Sequence, residues 1–264
     1  MMKKIYTSCM SCLEENGIPN LNFIELEQNN DLIYKMICDK GHETVLMQQA
    51  SKFEIIFDMA GESFMNEDYT AAVKHCATAV ERFHEFFVQC VWFNDTNKYD
   101  ELVISYEKYW KEVKSASERQ LGCFYSFYFK HYDRLEYAMS NGETTFRNNV
   151  VHKGEICGRK KAYDYLTKSY NYMISILQKI YIDFEDGLHN TIRYNLQRLY
   201  KKYSGYKIVT MSEGHIINIV AIDDIKHPKT FDIKMKEYFD FQELMKRHYA
   251  GMSNYKIENC CQSE

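Results

Sequence analysis

The chain has 264 residues, 45% of them hydrophobic, with only 2 prolines and 11 glycines. That suits a single long domain, or one domain with appendages, built from long elements with a full core, and it argues against a sandwich of short strands. A formal charge of −4 excludes a protein that lives on non-specific duplex binding, so any nucleic-acid contact must be confined to a local surface or cleft.

No apolar run approaches the roughly 18 residues of a membrane span. The opening MMKKIYTSCMSCLEENG has no signal-peptide core. A cytoplasmic setting without membrane contact is therefore expected. In that reducing compartment the nine cysteines are free thiols or metal ligands. No internal repeat or low-complexity segment is visible.

Residues 1–45 are short-element and punctuated by cysteine. LNFIELEQ and LIYKMICD read as two strands joined around Asn29, Asn30 and Asp31. Residues 46–203 read as helices. The first has Leu46, Phe53, Ile56, Phe57 and Ala60 at helical spacing. Asn66 is a candidate N-cap for the second, whose apolar face is Val73, Ala77, Val80, Phe83, Phe87 and Val91. A third is expected over residues 97–138, broken by Asn141-Gly142. A fourth covers RKKAYDYLTKSYNYMISILQKIYIDF and a fifth LHNTIRYNLQRLYKKY. Residues 204–264 read as a hairpin of YKIVTM and HIINIVAI around Ser-Glu-Gly, then a helix, then a frayed end. The expected fold class is mainly α, with a small amino-terminal β element and a short mixed α/β carboxy-terminal extension.

Two short-spaced ligand pairs occur in the first part. Cys9 and Cys12 form C-x-x-C, and Cys38 and His42 form CDKGH with Gly41 where a knuckle needs permissive backbone angles. Tetrahedral zinc takes thiolate and imidazole ligands in such pairs, and the strand-like runs between them resemble a zinc ribbon. Four protein ligands leave no open coordination position, so the expected Zn²⁺ is structural, with no catalytic metal.

Arg147, Asn148 and His152 lie in TTFRNNVVHKGE. Asn148 and His152 are four apart and share a helix face. Arg147 sits about 140° around from His152, within reach of a long side chain. A guanidinium, an amide and an imidazole suit a phosphodiester: arginine offers forked donors to phosphate oxygens, and histidine moves protons near neutral pH. Two readings stay open. His152 and Lys153 before Gly154 also fit a basic last turn with a glycine stop.

R-N-x-x-x-H in an all-α bundle, together with AVERFHEFFV in an early helix, resembles the HEPN domain and its R-x4-6-H signature over roughly residues 46–200. The resemblance implies an antiparallel HEPN-like helical bundle and a metal-independent endoribonuclease. In such enzymes the RNA 2′-hydroxyl attacks the adjacent phosphorus and leaves a 2′,3′-cyclic phosphate. It assigns proton transfer to His152, the pentacoordinate phosphate to Arg147, and orientation of the phosphate or of His152 to Asn148. It also implies a homodimer that pairs two copies of the motif, and a role as a toxin or anti-phage effector, with a possible inhibitory or sensor partner. Two alternatives are a non-catalytic HEPN-like module binding RNA, a nucleotide or a protein, and a zinc-ribbon adaptor. The aromatic run CFYSFYFKHY would line the dimer interface or pack in the core. Lys153, Arg159, Lys160 and Lys161 would track RNA or lie solvated. His75 and His84 read as structural.

Overall fold

A computed structural model describes residues 3–17, 20–26, 32–211 and 214–260. The protein is mainly helical, with ten α-helices among the described residues. It separates into two compact units: Met1–Gln48 with Tyr203–Gly214 and Asp232–Glu264, and Gln49–Lys202 with His215–Phe231.

In the smaller unit, β1 (Lys3–Cys9) pairs antiparallel with β2 (Asn20–Leu26), with Lys3 opposite Leu26 and Cys9 opposite Asn20. Helix α1 (Met10–Asn16) lies between them in the chain and stops at Gly17. The φ of +71° at Gly17 is a left-handed cap that glycine adopts without strain. A second sheet has the order β3 (Ile33–Ile37), β4 (Glu43–Gln48), β5 (Lys207–Met211). β3 runs antiparallel to β4, whereas β5 runs parallel to it, Thr44 opposite Lys207 and Gln48 opposite Met211. The two expected strand runs thus form, each paired with a different neighbour; the expected joint at Asn29–Asp31 lies outside the described residues.

Two expectations change here. Leu46 belongs to a strand, because Thr44 to Gln48 is buried throughout, and a short apolar run covered on both faces carries no period that tells strand from helix. The sequence YKIVTM contributes β5, but its partner is β4 and not HIINIVAI. The supposed turn at Ser212 and Glu213 lies outside the described residues.

The helical unit begins with α2 (Lys52–Met65), where the Ser51 N–H donates to Glu54 Oε2 at 2.6 Å. Next comes α3 (Tyr69–Trp92), capped by Asp68, which accepts from the Ala71 N–H at 3.0 Å. Asn66 caps the end of α2 instead. The expected helix over 97–138 is two helices, α4 (Tyr99–Val113) and α5 (Ser117–His131). The break is held by side chains: Gln120 Nε2 donates to the Lys114 carbonyl at 2.9 Å and Arg119 to the Glu112 carbonyl at 2.9 Å. Asn141-Gly142 opens a helix, α6 (Asn141–His152), rather than ending one. Ser140 and Glu143 form a capping box there, which outweighs the turn preference of Asn-Gly. Then follow α7 (Arg159–Asp183), α8 (Glu185–Lys202) and the short α9 (Ile222–Lys226). The last helix, α10 (Phe231–Cys260), belongs from Asp232 onward to the smaller unit, and residues expected to fray continue it as far as Cys260.

Two buried carboxylates explain why His215–Val220 forms no strand. Asp58 on α2 accepts from the Ile216 N–H at 2.9 Å and bonds His215 Nδ1 at 2.6 Å. Glu54 accepts from the Ile219 N–H at 2.9 Å. The backbone donors a strand would give to a neighbour go to α2 instead. Burial pushes the Glu54 carboxyl up to about 7.

Helix α3 is the centre of this unit. Its buried residues include Ala72, Val73, Cys76, Ala79, Phe83 and Phe87, so burial extends beyond a single stripe. α8 packs against it at Gly187, whose N–H donates to Asn94 Oδ1 at 3.0 Å. A Cβ at Gly187 would lie 1.8 Å from the Cys90 carbonyl oxygen. Gly187→Ala is therefore expected to lower the unfolding free energy by about 3 kcal/mol, measured by chemical denaturation; a change below about 0.5 kcal/mol would show that the helices shift apart freely.

Candidate functional site

Two constellations carry chemistry, one in each unit. In the smaller unit the expected ligand pairs meet. Cys9 ends β1, Cys12 lies on α1, and Cys38 and His42 flank the β3–β4 turn. That turn is closed by the Gly41 N–H to the Cys38 carbonyl at 2.8 Å and the Cys38 N–H to the His42 carbonyl at 3.0 Å, with φ +84° at Gly41. The four ligand atoms lie within 4.8 Å of one another and could hold a metal ion. Cys12 Sγ is 3.8 Å from Cys38 Sγ and 3.4 Å from His42 Nδ1, and Cys9 Sγ is 3.7 Å from that nitrogen.

The surroundings complete this centre. The other ring nitrogen of His42, Nε2, lies 3.2 Å from Glu15 Oε1. A proton on Nε2 leaves Nδ1 as the free donor atom. Burial raises the Cys9 thiol, but hydrogen bonds from the Cys12 N–H and the Thr44 hydroxyl outweigh it, so the net shift is downward. Burial, then the sulfurs of Cys9 and Cys38, push Cys12 up to about 11. Three thiolates crowded together repel one another, and a cation among them removes that penalty. These residues are also the local core: Cys9, Cys12 and Cys38 pack with Tyr34, Met36 and Leu46.

In the helical unit, Arg147 lies on α6 at the edge of a cavity of about 250 Å³ formed by α3, α5, α6, α7 and the segment between α5 and α6. Both terminal nitrogens of Arg147 are engaged. One donates to Asn148 Oδ1 at 2.9 Å, and the other forms an ion pair with Glu81 of α3. Asn148 therefore positions the guanidinium. His152 is the last residue of α6 and is exposed; it does not line the cavity that Arg147 lines. Lys153 follows it, and Gly154 turns the chain with φ +73°. The motif thus runs to the carboxy-terminal end of α6.

Of the nearby basic residues, Lys160 pairs with Asp164 at 2.7 Å and Lys161 with Glu155 at 3.6 Å. Lys153 and Arg159 are exposed.

Sequence reasoning passed over Glu81, three residues before His84 on α3, and the helix face the two share was the available signal. His84 is buried, stacks on Phe124 with ring centroids 4.1 Å apart, and shares a 2.7 Å hydrogen bond from Nε2 to the Tyr172 hydroxyl. Burial first, then the Arg147 and Arg82 charges, push its pKa down to about 3. It is neutral in the folded protein at neutral pH.

No protein-family model matches the chain, and neither a curated protein nor a solved structure matches it significantly. Among the described residues no helix is long and apolar enough to cross a membrane.

The depressed pKa of His84 has a consequence for acid stability. The unfolded chain takes up this proton near pH 6.5, whereas the folded chain resists it until about pH 3. The neutral ring therefore contributes stability above pH 6.5 that is lost as pH falls toward 3, on the order of 4 kcal/mol in total. In His84→Gln, which has nothing to titrate, the difference in unfolding free energy from the wild type should shrink steadily between pH 7 and pH 4. A difference that stays constant over that range would show that the ring titrates normally.

Proposed function

We propose that the helical unit is a HEPN-type endoribonuclease that works as a homodimer, and that the smaller unit is a zinc ribbon. The observation carrying the first part is the guanidinium of Arg147, fixed by Asn148 and Glu81 on the helix whose exposed last residue is His152. A fixed guanidinium suits the extra charge of a pentacoordinate phosphate, because it needs no reorganisation as that charge develops. An exposed histidine at a helix end is accessible to a second protomer, and cleavage wants two proton carriers. One His152 takes the 2′-hydroxyl proton as O2′ attacks phosphorus. The partner's His152 gives a proton to the leaving O5′ as the P–O5′ bond breaks. The products are a 2′,3′-cyclic phosphate and a 5′-hydroxyl. The nucleophile is tethered to its target, so proximity is built into the substrate. A growth-arresting role, as a toxin or anti-phage effector, follows from analogy with the family.

A second reading has its own support. The Arg147 charge is already balanced by Glu81, which fits a module that binds RNA, a nucleotide or a protein without cutting. The two readings separate when purified protein is incubated with RNA in excess chelator. Cleavage leaving cyclic-phosphate ends, lowered at least about 100-fold by His152→Ala with the dimer intact, supports the enzyme. Intact RNA held by a protein whose grip weakens in Arg147→Ala supports the module.

Zinc is the ion that best fits the smaller site. Bonds of about 2.3 Å to sulfur and about 2.0 Å to nitrogen give tetrahedral edges of roughly 3.5–3.8 Å. Three of the observed separations, 3.4, 3.7 and 3.8 Å, match them, and all four ligand atoms lie within 4.8 Å of one another. Four protein ligands close the coordination sphere, so the ion would hold the fold together rather than act on substrate. Glu15→Gln should weaken zinc binding about 10-fold or more, read by competition with a chromogenic chelator. Unchanged affinity would remove Glu15 from the site.

A further inference from the structure

The cavity edged by Arg147 has a wall chemistry that its neighbouring motif does not explain. Three carboxylates line it, Glu81, Glu118 and Glu143, against the one guanidinium of Arg147. His84, in the same wall, is neutral. A phosphate drawn inside would face a surplus of like charge, so the anionic backbone of a nucleic acid belongs outside.

The remaining surface suits a flat, largely apolar group. Tyr125, Tyr165 and Tyr172 line it with aliphatic side chains of α3 and α5. Tyr125 stays 41% exposed, so its ring is available at the opening. At about 250 Å³ the cavity falls just below the low end, about 300 Å³, of pockets that take whole small ligands. It matches one ring system rather than a complete nucleotide.

The carboxylates are not equivalent. Glu81 is paired with Arg147, and Glu143 accepts from Lys168 at 2.6 Å and from the Ser140 N–H at 2.7 Å. Gln120 is also engaged on both sides of its amide, accepting from Arg82 at 2.6 Å and donating to the Lys114 carbonyl at 2.9 Å. Glu118, in the first turn of α5, is exposed, and among the described residues no hydrogen bond or ion pair engages it. An unengaged carboxylate at the mouth of an aromatic cavity selects a planar ligand with N–H donors on its edge. Of the four RNA bases, guanine alone presents adjacent ring and amino N–H groups that both oxygens of one carboxylate can accept in parallel, the fork geometry that makes such pairs strong. Uracil directs two carbonyl oxygens toward the same region and is repelled.

We propose that this cavity is a nucleobase pocket selective for an unpaired guanine, which stacks on Tyr125 and gives its N–H edge to Glu118 while the attached phosphate stays outside at Arg147. The choice of an RNA base as ligand rests on the reading of Arg147 as a phosphate contact.

The test is calorimetric titration of the full-length protein with GMP, AMP, CMP and UMP, alongside the cleavage assay. GMP should bind at least 10-fold tighter than UMP. Glu118→Gln, a change at an exposed position, should erase that preference by weakening GMP binding and relieving the repulsion of UMP. Tyr125→Ala should weaken all four. Equal binding of the four nucleotides, no binding of any, or a GMP preference that survives Glu118→Gln each overturns the pocket. Failure of the nuclease reading looks different: GMP is preferred and Glu118 matters, but RNA stays whole. Cleavage without base preference is the converse, leaving the nuclease and removing the pocket.

Discussion

Burying α3 on so many sides imposes a constraint that organises the helical unit. A polar group on such a helix loses water and must find a partner on a neighbouring element. Glu81 meets Arg147 from α6, Arg82 meets Gln120 from α5, and His84 meets Tyr172 from α7. Three neighbouring polar requirements on one helix thereby bring three other helices to a common place, and the cavity is what remains between them. Apolar packing supplies most of the stability here, as in any domain of this size. The polar pairs specify which helix faces which. At Gly187, α8 rests against the backbone of α3.

The smaller unit is organised by a different constraint. Three of its cysteines pack with Tyr34, Met36 and Leu46 in one buried cluster. Ligand cluster and packing cluster share these residues, so an ion held there would add directly to the cohesion of the unit. The Thr44 hydroxyl and the Glu15 carboxylate approach the cluster from outside and hold Cys9 and His42 in orientation. Cluster and supporting groups together form a set that could hold a metal ion.

The sequence was most informative where the determining residues are close together. The ligand pairs are spaced by two and three residues, and the backbone turn they need is supplied locally by Gly41. The long helices likewise announce themselves by period. Where partners are distant, local pattern fails. β4 reads as a helix start because its apolar run is covered on both faces. β5 was matched with its sequence neighbour because nothing nearby in the chain points to Thr44–Gln48. Glu81 was passed over because Arg147 lies 66 residues away. The break between α4 and α5 depends on side chains of Gln120 and Arg119 folding back on the preceding carbonyls, which no propensity scale registers. In the R-N-x-x-x-H motif, spacing predicts that Asn148 and His152 share a helix face, but Asn148 bonds Arg147, and His152 is exposed at the end of α6.

The parallel pairing of β4 with β5 also bears on how the protein is made. A nascent chain emerges from the ribosome in order, so β3 and β4 appear early and must wait for their third strand until every helix from α2 to α8 has followed. Over that interval one edge of β4 offers open backbone groups beside a nest of reduced thiols, a state prone to mispairing and to oxidation. An ion captured by Cys9, Cys12, Cys38 and His42 as soon as they emerge needs nothing from β5. Early capture would hold the half-built sheet in register until Lys207–Met211 arrives to close it.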